Sequence, residues 1–387
     1  MAKLIGSAPN QISTNGDLGS MAFEDKKNYA TTSSPIYQPF RNIIINGDMS
    51  IAQRGTSASG LTGSGYNTID RFSLFNTGLG TWTQSQSTDV PSGQGFAKSM
   101  KMDCTTADAS PASGDLLQLR TAFEGQNLQY LNFGTSSAKS LTLSFWVKSN
   151  KTGTYTMVFF HRDASKMFSK SYTISSANTW EKKTITVIGN TADGIDNDNA
   201  RSFDVFFNLG AGSNFTSGSL SSGWEADTDA NYAVGQVNLA DNTANNFWIT
   251  GVQLEAGTTA SDFEFLPYDV NLQRCQRYYY EVTNPAVAIE EFSIGSVYAA
   301  GQFETVFPYP VTMRAQPSSS VVCGTNQMSV LTNQTNDSID GLSGSGQTGI
   351  NQGMRFTSGD NFGGTQGHAG RLRKVSADVR INFSAEL

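Results

Sequence analysis

Two segments far apart in the chain constrain its fold more than any other feature. Residues 41–55 form an apolar run that leads into an Asn-Gly-Asp turn, and residues 247–257 form a second strand-like run that ends at Gly257. Between them lie roughly two hundred residues of short strand patterns and polar turns, without a convincing helical period. This arrangement predicts a β-sandwich that is closed by its first and last strands.

The intervening patterns alternate as β-strands do. Residues 140–149 place Leu141, Leu143 and Phe145 on one face, and residues 154–161 are predicted to be the hairpin partner of that strand. Two further strands are predicted at residues 180–188 and 202–209.

The stretch from residue 210 to residue 246 is rich in Gly, Ser, Asn and Asp. A structureless loop of that length is unusual in a compact domain, so we expect its apolar side chains to pin it to the sheet. These side chains are Phe215, Trp224, Tyr232 and Val237.

Composition divides the rest of the chain. Residues 1–40 contain few apolar side chains and many turn signals, so this arm cannot bury a core of its own. Residues 269–280 are the best helix candidate, with Asp269 as its cap. Residues 341–370 are Gly-rich and are predicted to be an exposed loop, and residues 375–387 are predicted to be the last strand.

Charge and hydropathy exclude several classes of protein. The net charge is −7 and the pI is about 4.9, which argues against nucleic-acid binding because such binding needs a basic surface. Only 15% of residues are charged, which suits extracellular or virion β structure. No window approaches 18 apolar residues, and the first residues do not resemble a signal peptide. We therefore expect that the protein does not insert into a membrane and that it is synthesised in a cytoplasm.

Signals of catalysis are weak. The two histidines, His161 and His368, lack a neighbouring nucleophile in a known catalytic spacing. Paired carboxylates could hydrolyse a glycoside if two of them lay about 5–10 Å apart, a separation that the sequence does not reveal. The candidates for such a pair are Asp70, Glu124, Glu255 and Asp262. We predict that the protein is not an enzyme.

Residues 41–55 and 249–257 resemble the jelly-roll domain of virion fibre proteins of marine tailed phages, a domain that is itself similar to carbohydrate-binding sandwich modules. Residues 14–23 resemble a leader at the N-termini of phage fibre proteins, and residues 275–279 and 307–317 resemble later segments of the same family. The resemblance implies an all-β protein. It implies a jelly-roll β-sandwich (41–269), a linker helix (270–280), a smaller C-terminal β domain (281–387) and an extended N-terminal arm (1–40).

The resemblance also implies a role. The chain would be a structural subunit of a phage tail fibre or spike, made in the host cytoplasm and located in the virion. Its arm would bind other virion proteins, three copies would form a homotrimer, and the sandwich would contact a host surface glycan without catalysis. The alternatives are a capsid- or neck-attached fibre or decoration protein without receptor function, and a glycan depolymerase.

Candidate site residues follow from the same reasoning. Trp82, Trp224 and Tyr66 lie in polar, turn-rich segments and could stack on sugars, or each could be a buried pin for its own loop. No cofactor is predicted except a structural calcium ion, which related sandwiches hold where their first and last strands meet. Asp48 and Glu255 would supply its oxygen donors; otherwise Asp48 is a turn residue and Glu255 a solvated charge.

Overall fold

The computed structural model describes residues 40–387, except residues 285, 334, 348 and 359–361 and the side chains of residues 345–347. Backbone contacts group residues 42–387 into one compact unit. The predicted arm falls outside the described residues, apart from Phe40.

Twelve strands form a β-sandwich, which confirms the predicted fold class. They are β1 (Ser57–Leu61), β2 (Ser73–Thr77), β3 (Thr81–Ser87), β4 (Ser99–Thr106), β5 (Leu116–Glu124), β6 (Leu141–Ser149), β7 (Gly153–His161), β8 (Lys166–Ile174), β9 (Glu181–Val187), β10 (Arg201–Ala211), β11 (Glu225–Ala226) and β12 (Asn246–Ala256). The first sheet has the order β1-β3-β4-β12-β6-β9 and the second sheet the order β11-β8-β7-β10-β5-β2. Neighbouring strands in both sheets run antiparallel.

The inner faces of the two sheets form one apolar core. Phe145 of β6 and Phe207 of β10 are fully buried there, and their rings meet edge to face at 5.2 Å. Each such side chain contributes about 1.5–3 kcal/mol by leaving water. Because side chains alternate along a strand, every second residue lies on an outer face instead.

The predicted hairpin between residues 140–149 and 154–161 is wrong. β6 pairs with β12 and β9 in the first sheet, whereas β7 pairs with β10 and β8 in the second. The connection between them therefore crosses from one sheet to the other. The Tyr155 hydroxyl donates to the Lys151 carbonyl at 2.9 Å, which fixes the crossing inside the core.

The first segment follows β12 but is not a regular strand, contrary to expectation. Ile43 N donates to the Leu254 carbonyl and Val252 N donates to the Gly47 carbonyl, both at 2.9 Å. Between these two bonds, the Asn42 amide group donates to one β12 carbonyl and accepts from one β12 amide. A side chain thus replaces part of the backbone ladder.

The long insertion lies on the outer face of the second sheet, as its aromatic residues predict. It contains the helix α1 (Ser213–Thr216) and β11. Phe215 and Tyr232 from the insertion join Phe160 and Phe206 of the sheet in a second, smaller apolar cluster.

The helix α2 (Tyr268–Gln276) and ten further strands complete the chain. The strands are β13 (Tyr279–Glu281), β14 (Glu290–Ala299), β15 (Gln302–Pro308), β16 (Ser318–Val322), β17 (Met328–Thr332), β18 (Thr335–Ile339), β19 (Leu342–Gln347), β20 (Gly353–Ser358), β21 (Ala369–Lys374) and β22 (Arg380–Ser384). They form a three-stranded sheet, β13-β22-β16, and a seven-stranded sheet, β18-β17-β21-β14-β15-β20-β19, around a separate core. None of the described helices combines the length and apolar character that crossing a membrane requires.

Several C-terminal predictions differ from the structure. Residues 341–370 contain β19 and β20 rather than one exposed loop, because their alternate side chains Leu342, Met354 and Phe356 are buried. The last strand begins only at Arg380. A helix forms where one was predicted, but α2 ends at Gln276 and β13 begins at Tyr279. Its N-cap is Pro267, and Asp269 lies in the first turn.

A buried polar network, which we call the C-terminal joint, connects the sandwich to the C-terminal part of the chain. Glu124 of β5 is fully buried and accepts two hydrogen bonds from Arg277, at 2.7 and 2.6 Å, and one from the Tyr278 hydroxyl. Loss of one partner from such a buried ion pair costs about 3–5 kcal/mol. Two further ion pairs link Glu386 to Arg54 and to Arg71.

Asp70 makes the stability of this joint depend on pH. Burial raises its pKa to about 6, although Arg54 and Gln53 favour its ionised form and Glu386 opposes it. Because the unfolded carboxyl titrates near pH 4, the folded state binds the extra proton between about pH 4 and pH 6. The free energy of unfolding therefore falls as the pH rises through this window, by on the order of 1–3 kcal/mol.

We predict that Asp70→Asn removes this part of the pH dependence. Urea titrations of both proteins at about pH 4 and pH 7 would measure it. Parallel changes in the two proteins would show that Asp70 does not titrate in this range.

Candidate functional site

The structure places Trp224 against the core rather than on a platform. Its ring meets Phe168 at 5.7 Å and Phe133 at 5.8 Å, both edge to face, and also contacts Phe203. Its Nε1 donates to the Ile188 carbonyl at 2.7 Å. The residue is half-buried and holds the insertion on the sandwich.

Trp82 and Tyr66 also make contacts within the protein. Trp82 is fully buried in the core, and its Nε1 donates to the Leu79 carbonyl at 2.8 Å. Tyr66 is half-buried near the C-terminal joint, where its hydroxyl donates to the Leu387 carbonyl at 3.4 Å and Arg54 lies 5.3 Å from its ring. The three predicted aromatic residues thus occupy three separate places.

Asp48 and Glu255 have separate structural partners. Asp48 accepts hydrogen bonds from Ser50 and Asn271, both at 3.1 Å. Glu255 is buried, and both its carboxylate oxygens accept bonds from Ser261. Within the part of the chain that the structure describes, no three His, Cys, Asp or Glu side chains are grouped to hold a metal ion. The geometry therefore gives the predicted calcium site no support.

The carboxylates considered for hydrolysis also carry structural contacts. Asp70 and Glu124 are fully buried and hold the C-terminal joint through Arg54 and Arg277. Glu255 secures the turn at Ser261. Each of these three groups is engaged by protein donors rather than presented to a ligand.

The outer face of the first sheet gathers three tryptophans that sequence reasoning did not select. The core side chains Phe145, Val147, Phe247 and Ile249 point inward, so the residues between them point outward. We define the tryptophan–lysine surface by its members: Asp89, Lys101, Trp146, Lys148, Trp180 and Trp248.

Strand register sets the order of this surface. Trp248 of β12 lies opposite Lys101 of β4 on one side and opposite Lys148 of β6 on the other. The two ammonium groups are 5.1 and 4.3 Å from the indole ring centroid. Contacts of this kind contribute about 0.5–2 kcal/mol each, more as they are removed from water, and hold the ring in place.

Asp89, from the loop between β3 and β4, fixes the other side of the surface. Its carboxylate accepts from Lys148 Nζ and, at 3.0 Å, from Trp180 Nε1. Partial burial tends to raise the pKa of Asp89, but the hydrogen bonds from Lys148 and Trp180 outweigh it and hold the pKa below its usual value. Asp89 therefore stays ionised near neutral pH and still exposes almost half of its side chain, 45%.

The Trp248 indole retains an unused hydrogen-bond donor. Trp248 is 8% exposed, and its buried Nε1 has no hydrogen-bond partner among the described residues. Trp146 is half-buried and lies opposite Lys182 and Thr250 in the neighbouring strands. A buried donor without a partner is uncommon in proteins and indicates a place where a ligand or water oxygen can bind.

Another part of this outer face is covered by the chain itself. Gln253 accepts from Glu264 N at 2.8 Å and so holds residues 257–267 over the sheet. Phe263 and Phe265 pack on Phe96 at 5.0 and 5.1 Å. Phe96 in turn lies over Gly251, where a Cβ would come within 2.5 Å of the ring. This cover ends next to Thr250, and the tryptophan–lysine surface begins there.

The surface has the chemistry of a carbohydrate platform. The half-buried rings of Trp146 and Trp180 offer flat apolar area to the C–H face of a pyranose, while the Asp89 carboxylate accepts from hydroxyls and the lysine ammonium groups donate to them. The sequence did contain a signal for it. Trp146 and Trp248 fall out of phase with the apolar core pattern of β6 and β12, and large apolar residues on an outer face are rarely needed for folding.

Comparisons with known proteins give no assignment. No family model and no curated protein matches the chain. Among solved structures, the enzymatically active domain of tailspike protein 4 of bacteriophage CBA120 is 14% identical, with a TM-score of 0.30 over 57% of this chain, and this chain spans only 22% of that one. The xylan-binding domain CBM22-2 of Paenibacillus barcinonensis Xyn10C is 14% identical, with a TM-score of 0.27 over 55% of this chain and 96% of that one.

A family 11 carbohydrate-binding module from Clostridium thermocellum, in complex with a mixed-linked tetrasaccharide, is 12% identical. Its TM-score is 0.25, and the match covers 53% of this chain and 98% of that one. Similarity at this level carries no argument about the ligand of this chain.

We predict that Trp224→Ala lowers the free energy of unfolding by about 3 kcal/mol, because it leaves a cavity among aromatic rings and frees the insertion. Trp180→Ala is the matched control and should cost less than about 1 kcal/mol, since that ring lies on an outer face. Denaturant titration of both variants measures the difference. Equal losses would contradict the placement of Trp224 as a core plug.

Proposed function

We propose that this chain is a non-catalytic, glycan-binding subunit of a phage virion appendage, and that the tryptophan–lysine surface binds the glycan. The observation that carries the binding role is the set of three outward indoles on one face, two of which, Trp180 and Trp248, are held by lysines and Asp89. The resemblance of residues 14–23, 41–55 and 275–279 to phage fibre proteins supports the virion role.

Side chains of the tryptophan–lysine surface are held in place before any ligand binds, and this favours binding. Asp89 holds Lys148 and Trp180 through its carboxylate, and its carbonyl accepts from Ser99 at 2.6 Å. Side chains that are already ordered lose little entropy when a ligand arrives. A single site should nevertheless bind weakly, because a sugar offers little apolar area, and several copies on one particle would raise the avidity by about 10²–10⁴.

We predict that Trp146→Ala and Trp180→Ala each weaken glycan binding by about tenfold or more, the loss expected when an aromatic contact at the centre of a site is removed. An array of bacterial capsular polysaccharides and lipopolysaccharide O-chains, probed with the full chain, would identify a ligand. Calorimetry with that ligand would then measure the loss.

Tyr298→Ala is the matched control, because Tyr298 is an exposed aromatic residue in the C-terminal sheet. It should bind as the wild type does, and all three variants should stay folded and melt within a few degrees of the wild type. Unchanged binding by both tryptophan variants would remove the surface from consideration. New reducing ends on the bound polysaccharide would overturn the non-catalytic part of the proposal.

The proposed virion role includes assembly as a homotrimer and attachment through residues 1–40. We predict that the purified full chain has three times the mass of its 41.6 kDa chain. Sedimentation equilibrium at micromolar concentration measures this mass. A stable monomer would contradict the trimer, without bearing on the glycan surface.

A further inference from the structure

A second polar cluster lies on the outer face of the second sheet, away from the tryptophan–lysine surface. Val205 and Phe207 of β10 point into the core, so Asp204 and Phe206 point outward. Arg120 of β5 lies opposite Phe206, and Arg162 follows the end of β7. The outer face thus places Arg120, Arg162 and Arg201 in the neighbourhood of the Asp204 carboxylate.

Two of these arginines share Asp204, which is fully buried. Arg162 donates to Oδ2 from Nε at 3.0 Å and from Nη2 at 2.7 Å. Arg201 donates from Nε to Oδ1 at 2.6 Å. Both oxygens of the carboxylate are therefore occupied, and one negative charge faces two positive charges.

Arg120 is held differently. Its guanidinium carbon lies 3.5 Å from the centroid of the Phe75 ring and 4.5 Å from that of Phe206. Its Nε donates to Gln118 Oε1 at 2.7 Å. In the described part of the chain, its two terminal amino groups have no hydrogen-bond partner. The two rings and Gln118 fix the plane of the guanidinium. Its two terminal amino groups, the guanidinium fork, remain available to a ligand.

The local charge is strongly positive for a chain whose net charge is −7. Burial is the main cause that lowers the pKa of Arg120 to about 10; Arg201 and Arg162 act in the same direction, and Asp204 and Tyr232 oppose them. Arg120 remains protonated near neutral pH. Asp227, the acid near Tyr232, accepts a hydrogen bond from the tyrosine hydroxyl. The three guanidinium groups and the Asp204 carboxylate sum to two positive charges, and the Asp227 carboxylate beside Tyr232 offsets only part of them.

We propose that Arg120 is the centre of a second binding site, which takes the carboxylate or sulfate group of an acidic saccharide. The open guanidinium fork matches two oxygens of such a group and can donate paired hydrogen bonds to them. Arg162 and Arg201 add attraction, and the half-buried Phe75 ring beside the fork offers apolar area to the sugar. The site is independent of the tryptophan–lysine surface, because the two lie on different sheets.

Calorimetry of the full chain tests the site with five probes at one ionic strength: a sulfated disaccharide, a uronic-acid trisaccharide, the uncharged counterpart of each, and sodium sulfate. We expect the acidic saccharides to bind at least about tenfold more tightly than their uncharged counterparts. Arg120→Gln should remove that preference, whereas Arg120→Lys should keep part of it, because the charge remains and the planar fork does not. The Trp146→Ala protein should bind the acidic probes as the wild type does.

Arg371→Gln is the matched control, since Arg371 is half-exposed on the C-terminal sheet and paired with Glu291. An equal loss in this variant would overturn the proposal in favour of diffuse charge attraction. Equal binding of acidic and uncharged saccharides would also overturn it, and equal affinity for free sulfate would overturn the saccharide as occupant. If Arg120→Gln fails to fold, the melting temperature of the wild type decides: only the acidic saccharides should raise it.

Discussion

The alternation of side chains along each strand is the constraint on which this structure depends. Every residue that β6, β10 or β12 sends into the core leaves a neighbour on an outer face, and two stacked sheets therefore create two outer faces. The chain covers them unequally. The insertion, with Phe215 and Tyr232, packs on the second sheet, while residues 257–267 cover only part of the first. The tryptophan–lysine surface is what this partial cover leaves open.

Buried charges have a different role from surface charges in this protein. Glu124 would be strongly destabilising without Arg277 and Tyr278, so its burial links the docking of the C-terminal part to the folding of the sandwich. The same logic holds for Asp204 with its two arginines. Asp89 is the contrasting case, because it positions Lys148 and Trp180 while almost half of its side chain stays in water. Surface groups that are ordered before a ligand arrives are well suited to recognition.

Local patterns predicted the sandwich well and its connections poorly. β6, β9, β10 and β12 follow from alternation and strand-forming residues, and the aromatic residues of the insertion correctly indicated that it packs on a sheet. The hairpin prediction failed because a short polar connection can join two strands of one sheet or two strands of opposite sheets. Which of the two forms depends on how the strands pack in the core. Tyr66, Trp82 and Trp224 were chosen for their polar surroundings in sequence, which say nothing about burial. Trp146 and Trp248 could have been found from the sequence, because each stands between two core residues of its strand. Their placement on the same face as Trp180 and Asp89 depends on strand order, which the sequence does not show.

The central claim is that the outer face of the first sheet, and not the tryptophans packed in the core, contacts the glycan. The chain has five tryptophans, and each gives one indole N–H signal in a ¹H–¹⁵N correlation spectrum. Titration of the full chain with the oligosaccharide repeat of its glycan would follow all five at once. We predict that the signals of Trp146, Trp180 and Trp248 shift in saturable fashion while those of Trp82 and Trp224 stay in place. Saturable shifts confined to Trp82 or Trp224, or no shifts under conditions in which binding is measured independently, would contradict it.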